Sequence, residues 1–98
     1  MDFGKLMEQA SRMQESLGRL EDELNATVYE GSSNGLTVKI NGKMECLEIH
    51  IPEEMMDDRE MLEDVLRIAF NQASEKADED RNSRIRSTAG GLGIPGLR

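Results

Sequence analysis

The chain reads as α+β: a long helix, a three-stranded antiparallel meander and a second long helix, forming a single domain over residues 1–86. Three observations predict it. Phe3, Leu6, Ala10, Met13, Leu17, Leu20 and Leu24 recur in alternating steps of three and four, a period of about 3.5 that suits a helix lying against another helix along a narrow seam. From Thr27 to Ile51 the apolar spacing drops to two and is punctuated by Gly and Asn-Gly clusters, as in strands joined by tight turns. Helical spacing returns at Met61, Leu62, Val65, Leu66, Ala69, Phe70 and Ala73.

The first helix is expected over residues 2–26, about 36 Å long at about 1.5 Å per residue. Gly4 and Gly18 lie off its seam, and each weakens it by about 1 kcal/mol relative to Ala. With 98 residues, 37% apolar content and Phe3, Tyr29 and Phe70 as its aromatic residues, a monomer has a thin core. Self-association along Leu6, Ala10, Met13, Leu17, Leu20 and Leu24 would relieve that. The plainer reading is an amphipathic helix packed on its own domain.

Thr27–Glu30 is a strand candidate and Gly31–Gly35 a turn cluster; Leu36, Val38 and Ile40 mark a second strand, and Leu47, Ile49 and Ile51 a third. Between the last two, a four-residue loop, Asn41–Met44, sets Val38 opposite Leu47 and Leu36 opposite Ile49, with both apolar sets on one face. A three-residue loop would turn one set outward. Pro52 closes the sheet. Asp57 is positioned to cap the second helix, with Glu60 reaching back and Met56 stapled on Met61. That stripe is broad enough to cover the sheet. Apolar spacing stops after Ala77, so the helix is expected to end near Arg86, with residues 87–98 a flexible glycine-rich tail.

No constellation argues for catalysis. Cys46 and His50 alternate on the polar face of the third strand, about 13 Å apart and too distant for proton transfer. The acidic runs lack the Asp and Gly pattern of a calcium loop, and no Lys-Ser or Lys-Thr follows the glycines as in a phosphate cradle. No enzyme activity, cofactor, metal or small-molecule substrate is expected. A single cysteine, the absence of an 18-residue apolar stretch and a polar N-terminus predict a soluble, cytoplasmic protein without membrane association.

Charge is more informative. The net charge is −8 and the pI about 4.6, yet all 20 acidic residues precede residue 81. Beyond that point come only Arg81, Arg84, Arg86 and Arg98, an anion-contacting end on an acidic body. Lys5, Arg12 and Arg19 recur every seven residues on the first helix, but Glu8, Glu15 and Asp22 interleave with them. That spacing favours an ion-pair ladder over a phosphate stripe.

The order of these pieces resembles the YbaB/EbfC family of bacterial nucleoid-associated proteins over nearly the whole chain. The resemblance rests on residues 6–10 (LMEQA), 35–43 (GLTVKINGK), 61–66 (MLEDVL), 69–73 (AFNQA) and 90–96 (GGLGIPG), taken with their spacing. Membership implies an intertwined homodimer with projecting helices and DNA binding of low sequence preference. Glu8 stands where the family often carries Lys, which lessens the positive charge of the first helix. The expected function is therefore non-enzymatic binding of duplex DNA in the nucleoid, through Arg81, Arg84, Arg86 and Arg98, with Lys5, Arg12 and Arg19 in a lesser role. The alternative is an adaptor that docks a partner helix along the seam and never meets DNA.

Overall fold

Asp2 starts the first helix, α1 (Phe3–Ala26), by accepting the Gly4 backbone N–H on its carboxylate at 3.0 Å. This satisfies one of the donors that a helix start leaves open. At the other end Thr27 turns extended and its hydroxyl donates to the Glu23 carbonyl at 2.6 Å. The computed structural model describes residues 2–91, with side chains as far as Thr88. Strands β1 (Val28–Ser33), β2 (Leu36–Asn41) and β3 (Cys46–His50) form an antiparallel sheet in that order. A 3-10 helix (Glu53–Asp57) leads into α2 (Arg59–Gly91).

The first hairpin is tighter than the sequence suggests. β1 runs on to Ser33 instead of stopping at Glu30, and the turn is Asn34-Gly35 alone, with φ of 51° and 86°. Two positive φ values make the type I′ turn that matches strand twist. Gly31, expected in the turn, is a strand residue paired with Val38.

The second hairpin reaches the expected face by a different route. Asn41 N–H donates to the Glu45 carbonyl at 3.1 Å and Met44 N–H to the Asn41 carbonyl at 2.9 Å, leaving Gly42 to Met44 as a three-residue loop. Met44 takes a φ of 64°, and the Asn41 side-chain oxygen accepts the N–H groups of Lys43 and Glu45. Such a loop alone would turn β3 over. A β-bulge restores the parity: Ile40 pairs with Cys46, but Lys39 pairs with Glu48 and Val38 with Ile49, so Leu47 is the extra residue. The expected pairings of Val38 with Leu47 and Leu36 with Ile49 are thus replaced. Cys46 moves to the face of Ile40, while His50, opposite Thr37, stays on the other.

Asp58, not Asp57, caps α2: its side-chain oxygen accepts the Met61 N–H at 3.1 Å and its carbonyl the Leu62 N–H at 3.0 Å. Asp57 is taken up by the 3-10 helix, which turns Met55 into the core and leaves Met56 exposed, away from the expected staple. The stripe that α2 lays on the sheet is narrower than expected. Val65, Ala69, Ala73 and Ala77, at every fourth position, are buried with Tyr29, Leu36, Val38 and Ile40, whereas Leu62 and Leu66 are half-buried and Met61 and Phe70 each keep 38% of their exposure. These small residues bring backbone onto backbone. A Cβ on Gly31 would stand 1.9 Å from the Ala69 carbonyl oxygen, and one on Gly42 would stand 2.0 Å from that of Leu24.

α1 joins this body only through its last turns. Leu20 and Leu24 are buried, and the helix is otherwise exposed apart from half-buried Met13, Ser16 and Asn25. The molecule measures 69 × 22 × 14 Å. Since 33 residues of α2 span only about 50 Å, α1 projects as an arm. α2 continues past Arg86 to Gly91, because its glycines lower helix propensity but keep their N–H donors. The rest of the expected tail, residues 92–98 with Arg98, lies outside the described residues.

Candidate nucleic-acid interface

Arg81 and Arg84, two of the four phosphate-binding candidates by sequence, face their own chain. Arg81 donates to the Gly42 carbonyl at 2.9 Å and lies 4.0 Å from Glu21; Arg84 meets Asp80 at 3.1 Å and Glu23 at 3.9 Å. Both guanidinium groups therefore sit where α2, the end of α1 and the β2–β3 hairpin converge. Arg86, two residues on, is exposed.

The expected ladder on α1 is not formed. Among the described residues, Lys5, Arg12 and Arg19 have no carboxylate within 4.0 Å, although Glu8, Glu15 and Asp22 lie within a turn. Exposed pairs of this kind gain only tenths of a kcal/mol and must restrain two long side chains. The cations left without an ion pair or hydrogen bond among the described residues are Lys5, Arg12, Arg19, Lys43 and Arg86. They occupy α1, the hairpin that touches its end, and the last turns of α2. The others are held: Lys39 by Glu48, Arg59 by Glu63, Arg67 by Asp64, and Lys76 by the Glu30 carbonyl. Lys43 escapes a charge count, but its place beside Asn41-Gly42, at a hairpin tip, is the signal that exposes it.

The seam divides in two. Leu20 and Leu24 are consumed within the chain, while Leu6, Ala10 and Leu17 are exposed and Met13 half-buried. Phe3, at 75% exposure, extends the open part to the tip. A second apolar surface opens between β3 and α2, a groove of about 500 Å³ lined by Val38, Cys46, Ile49, Leu66 and Phe70 with Glu63, Arg67 and Asn71 at its polar edge. Among the described residues β3 pairs with β2 alone, and Leu47 and Ile49 are about half exposed along it.

A polar clasp behind the arginines went unseen in the sequence because its members are 51 residues apart. The part-buried Tyr29 hydroxyl donates to Asp80 at 2.7 Å, and the other Asp80 oxygen accepts from Arg84. The Tyr29 hydrogen bond, with help from Arg84, holds the Asp80 carboxyl below its ordinary range, while burial and then Asp80 push the Tyr29 phenol up. A lowered carboxyl stabilises the fold above its unfolded pKa, and that contribution is lost as pH falls through the folded value, below about 4. A raised phenol acts oppositely, its contribution lost as pH rises past about 10. Tyr29→Phe is expected to cost about 1 kcal/mol, a fall in Tm of roughly 5 °C at pH 7, and to make stability less sensitive to acid between pH 4 and 2. Thermal melts across pH check both.

Cys46 and His50 lie on opposite faces of β3 and so form no pair. Among the described residues no cluster of three or more His, Cys, Asp or Glu could hold a metal ion, and no helix is long and apolar enough to cross a membrane.

The family model of the YbaB/EbfC DNA-binding family matches residues 1–92. A nucleoid-associated protein of Clostridium novyi (strain NT) is 39% identical over 101 residues, covering 99% of this chain and 89% of the relative. One from Xylella fastidiosa (strain Temecula1 / ATCC 700964) is 36% identical over 96 residues, covering 96% and 91%. The crystal structure of an uncharacterized protein from Helicobacter pylori shares the fold with a TM-score of 0.76 at 25% identity, over 87% of this chain and 94% of that one. The family model and these relatives span nearly the full length, and the chain belongs to the YbaB/EbfC DNA-binding family.

Proposed function

We propose that this protein is a homodimeric, nucleoid-associated DNA-binding protein that grips duplex DNA mainly through backbone phosphates, with low sequence specificity and no catalytic role. The observation that carries this reading is the segregation of cations: on an acidic protein, those free of partners lie on the projecting arm and the elements at its root. Lys5, Arg12 and Arg19 are exposed and lie roughly a third of a turn round α1 from the apolar seam, so a second copy docked on the seam leaves them open to DNA. Arg86 extends the same charge from α2. Nothing in this set forms a helix-turn-helix or ribbon that would read base edges, so phosphate contact dominates.

The open part of the seam and the groove beside β3 supply two apolar surfaces that a second copy would cover. Exposed contiguous apolar surface of this sort marks an interface. The relatives' names support the nucleoid as the place of action.

A salt series with random-sequence duplex tests the reading. Three or four cations per chain, doubled in a dimer, would release six to eight counterions and give a log–log slope between about −5 and −7. Unrelated duplexes should bind within a few-fold of each other, and sedimentation should show a dimer at micromolar concentration. A dimer with no DNA binding at low salt would favour the adaptor that docks a partner helix along the seam.

A further inference from the structure

We propose that Glu21 and Glu23 are an internal stand-in for DNA phosphate, keeping Arg81 and Arg84 in reserve until a duplex displaces them. This rests on the DNA-binding reading above and assigns a role that the free cations do not have. The geometry carries it. Two arginines on successive turns of α2 aim at the acidic end of α1, where Glu21 lies 4.0 Å from Arg81 and Glu23 lies 3.9 Å from Arg84. Neither arginine is sealed off, because their side chains keep 30% and 37% of their exposure and the two carboxylates are well exposed. A phosphate can reach both guanidinium groups from solvent.

Each arginine also has a second, fixed contact that keeps it in place when the carboxylate leaves. Arg81 donates to the Gly42 carbonyl and Arg84 to Asp80, itself held by Tyr29. The guanidinium groups are thus pre-positioned, and the exchangeable part of each site is the glutamate. Glu21 and Glu23 oppose DNA in two ways: they occupy the cations, and they repel a phosphate brought beside them. Solvent-exposed ion pairs are individually weak. Phosphates arriving together along a duplex already held by Lys5, Arg12 and Arg19 can replace them, so engagement of the arm precedes use of the reserve.

The test is binding of random-sequence duplex by full-length Glu21→Gln/Glu23→Gln, compared with wild type across a salt series. The variant is expected to bind at least tenfold more tightly at low salt, with a slope steeper by about 3 to 4, since two more cations per chain become available in a dimer. Adding Arg81→Gln/Arg84→Gln should abolish the gain, and the same arginine changes in wild type should weaken binding by less than that gain, because each phosphate contact made there is offset by a displaced glutamate. Glu75→Gln/Glu79→Gln removes the same charge from exposed acids of α2 outside these pairs, and should gain no more than threefold. An equal gain in that control would assign the effect to net charge and overturn the proposal. So would an unchanged slope in the Glu21→Gln/Glu23→Gln protein when circular dichroism shows it folded. If wild type binds and the variant gains nothing, the reserve fails while the DNA-binding reading stands; if only the variant binds, the reserve stands and the free-cation surface fails. Absence of binding by both overturns both.

Discussion

Gly31→Ala should leave little folded protein at 37 °C, the largest stability loss expected of any single methyl group in this chain. The added carbon would lie 1.9 Å from the Ala69 carbonyl oxygen, 2.7 Å from the Ala73 nitrogen and 2.9 Å from the Ala69 carbonyl carbon, all backbone atoms of α2. No rotamer change relieves a clash with a helix backbone. α2 would have to lift by more than an ångström, opening the contact of Ala69, Ala73 and Ala77 with the sheet. Overpacking of this severity costs roughly 3 kcal/mol or more, and a domain of this size loses about 4 to 8 °C of Tm per kcal/mol. Gly18 provides the contrast, since a Cβ there meets nothing within 4 Å. Gly18→Ala lies in mid-helix and should stabilise by about 0.5 to 1 kcal/mol. Thermal unfolding of the two variants should therefore shift Tm in opposite directions.

Replacement of Lys5, Arg12 and Arg19 together by Gln should remove most DNA affinity, roughly a hundredfold at low salt, and flatten the salt slope by about 5, because six phosphate contacts per dimer disappear. The fold should survive. These side chains carry no ion pair within 4.0 Å among the described residues and touch no part of the core, so Tm should move by only a few degrees. The loss should be similar for unrelated duplexes, as expected of phosphate contacts. A triple variant that keeps wild-type affinity within threefold would move the binding surface off α1.

What could be read from the sequence followed the reach of the interactions. The extent of α1, the period-two stretch and the second helix are written in spacing within a few residues, and the structure keeps them. Asn34-Gly35 was visible as a turn, but Gly31 was not visible as a strand residue, because a glycine that admits a helix backbone looks the same in sequence as one that turns the chain. The second hairpin shows a subtler limit. Parity requires a two- or four-residue loop, and the chain satisfies it with a three-residue loop plus a bulge at Leu47, two departures that cancel. At the candidate site the limit was distance. Charge along the chain picked out Arg81 and Arg84 as anion-contacting candidates, but Glu21, Glu23 and Gly42 reach them only through the fold. Local spacing likewise proposed partners for Lys5, Arg12 and Arg19 that solvent outcompetes.

The attachment of α1 has a mechanical consequence. Its grip on the body spans Leu20 to Leu24, about 6 Å along the axis, whereas Lys5 lies about 28 Å from Leu24. The arm is a lever with a ratio near five. A tilt that shifts one end of the grip by half an ångström swings Lys5 through roughly 2 to 2.5 Å, enough to change which phosphates two arms can straddle. The fulcrum is where the Leu24 carbonyl rests on Gly42, with no side chain between them. The smallest residue in the protein thereby sets the aim of its longest projection.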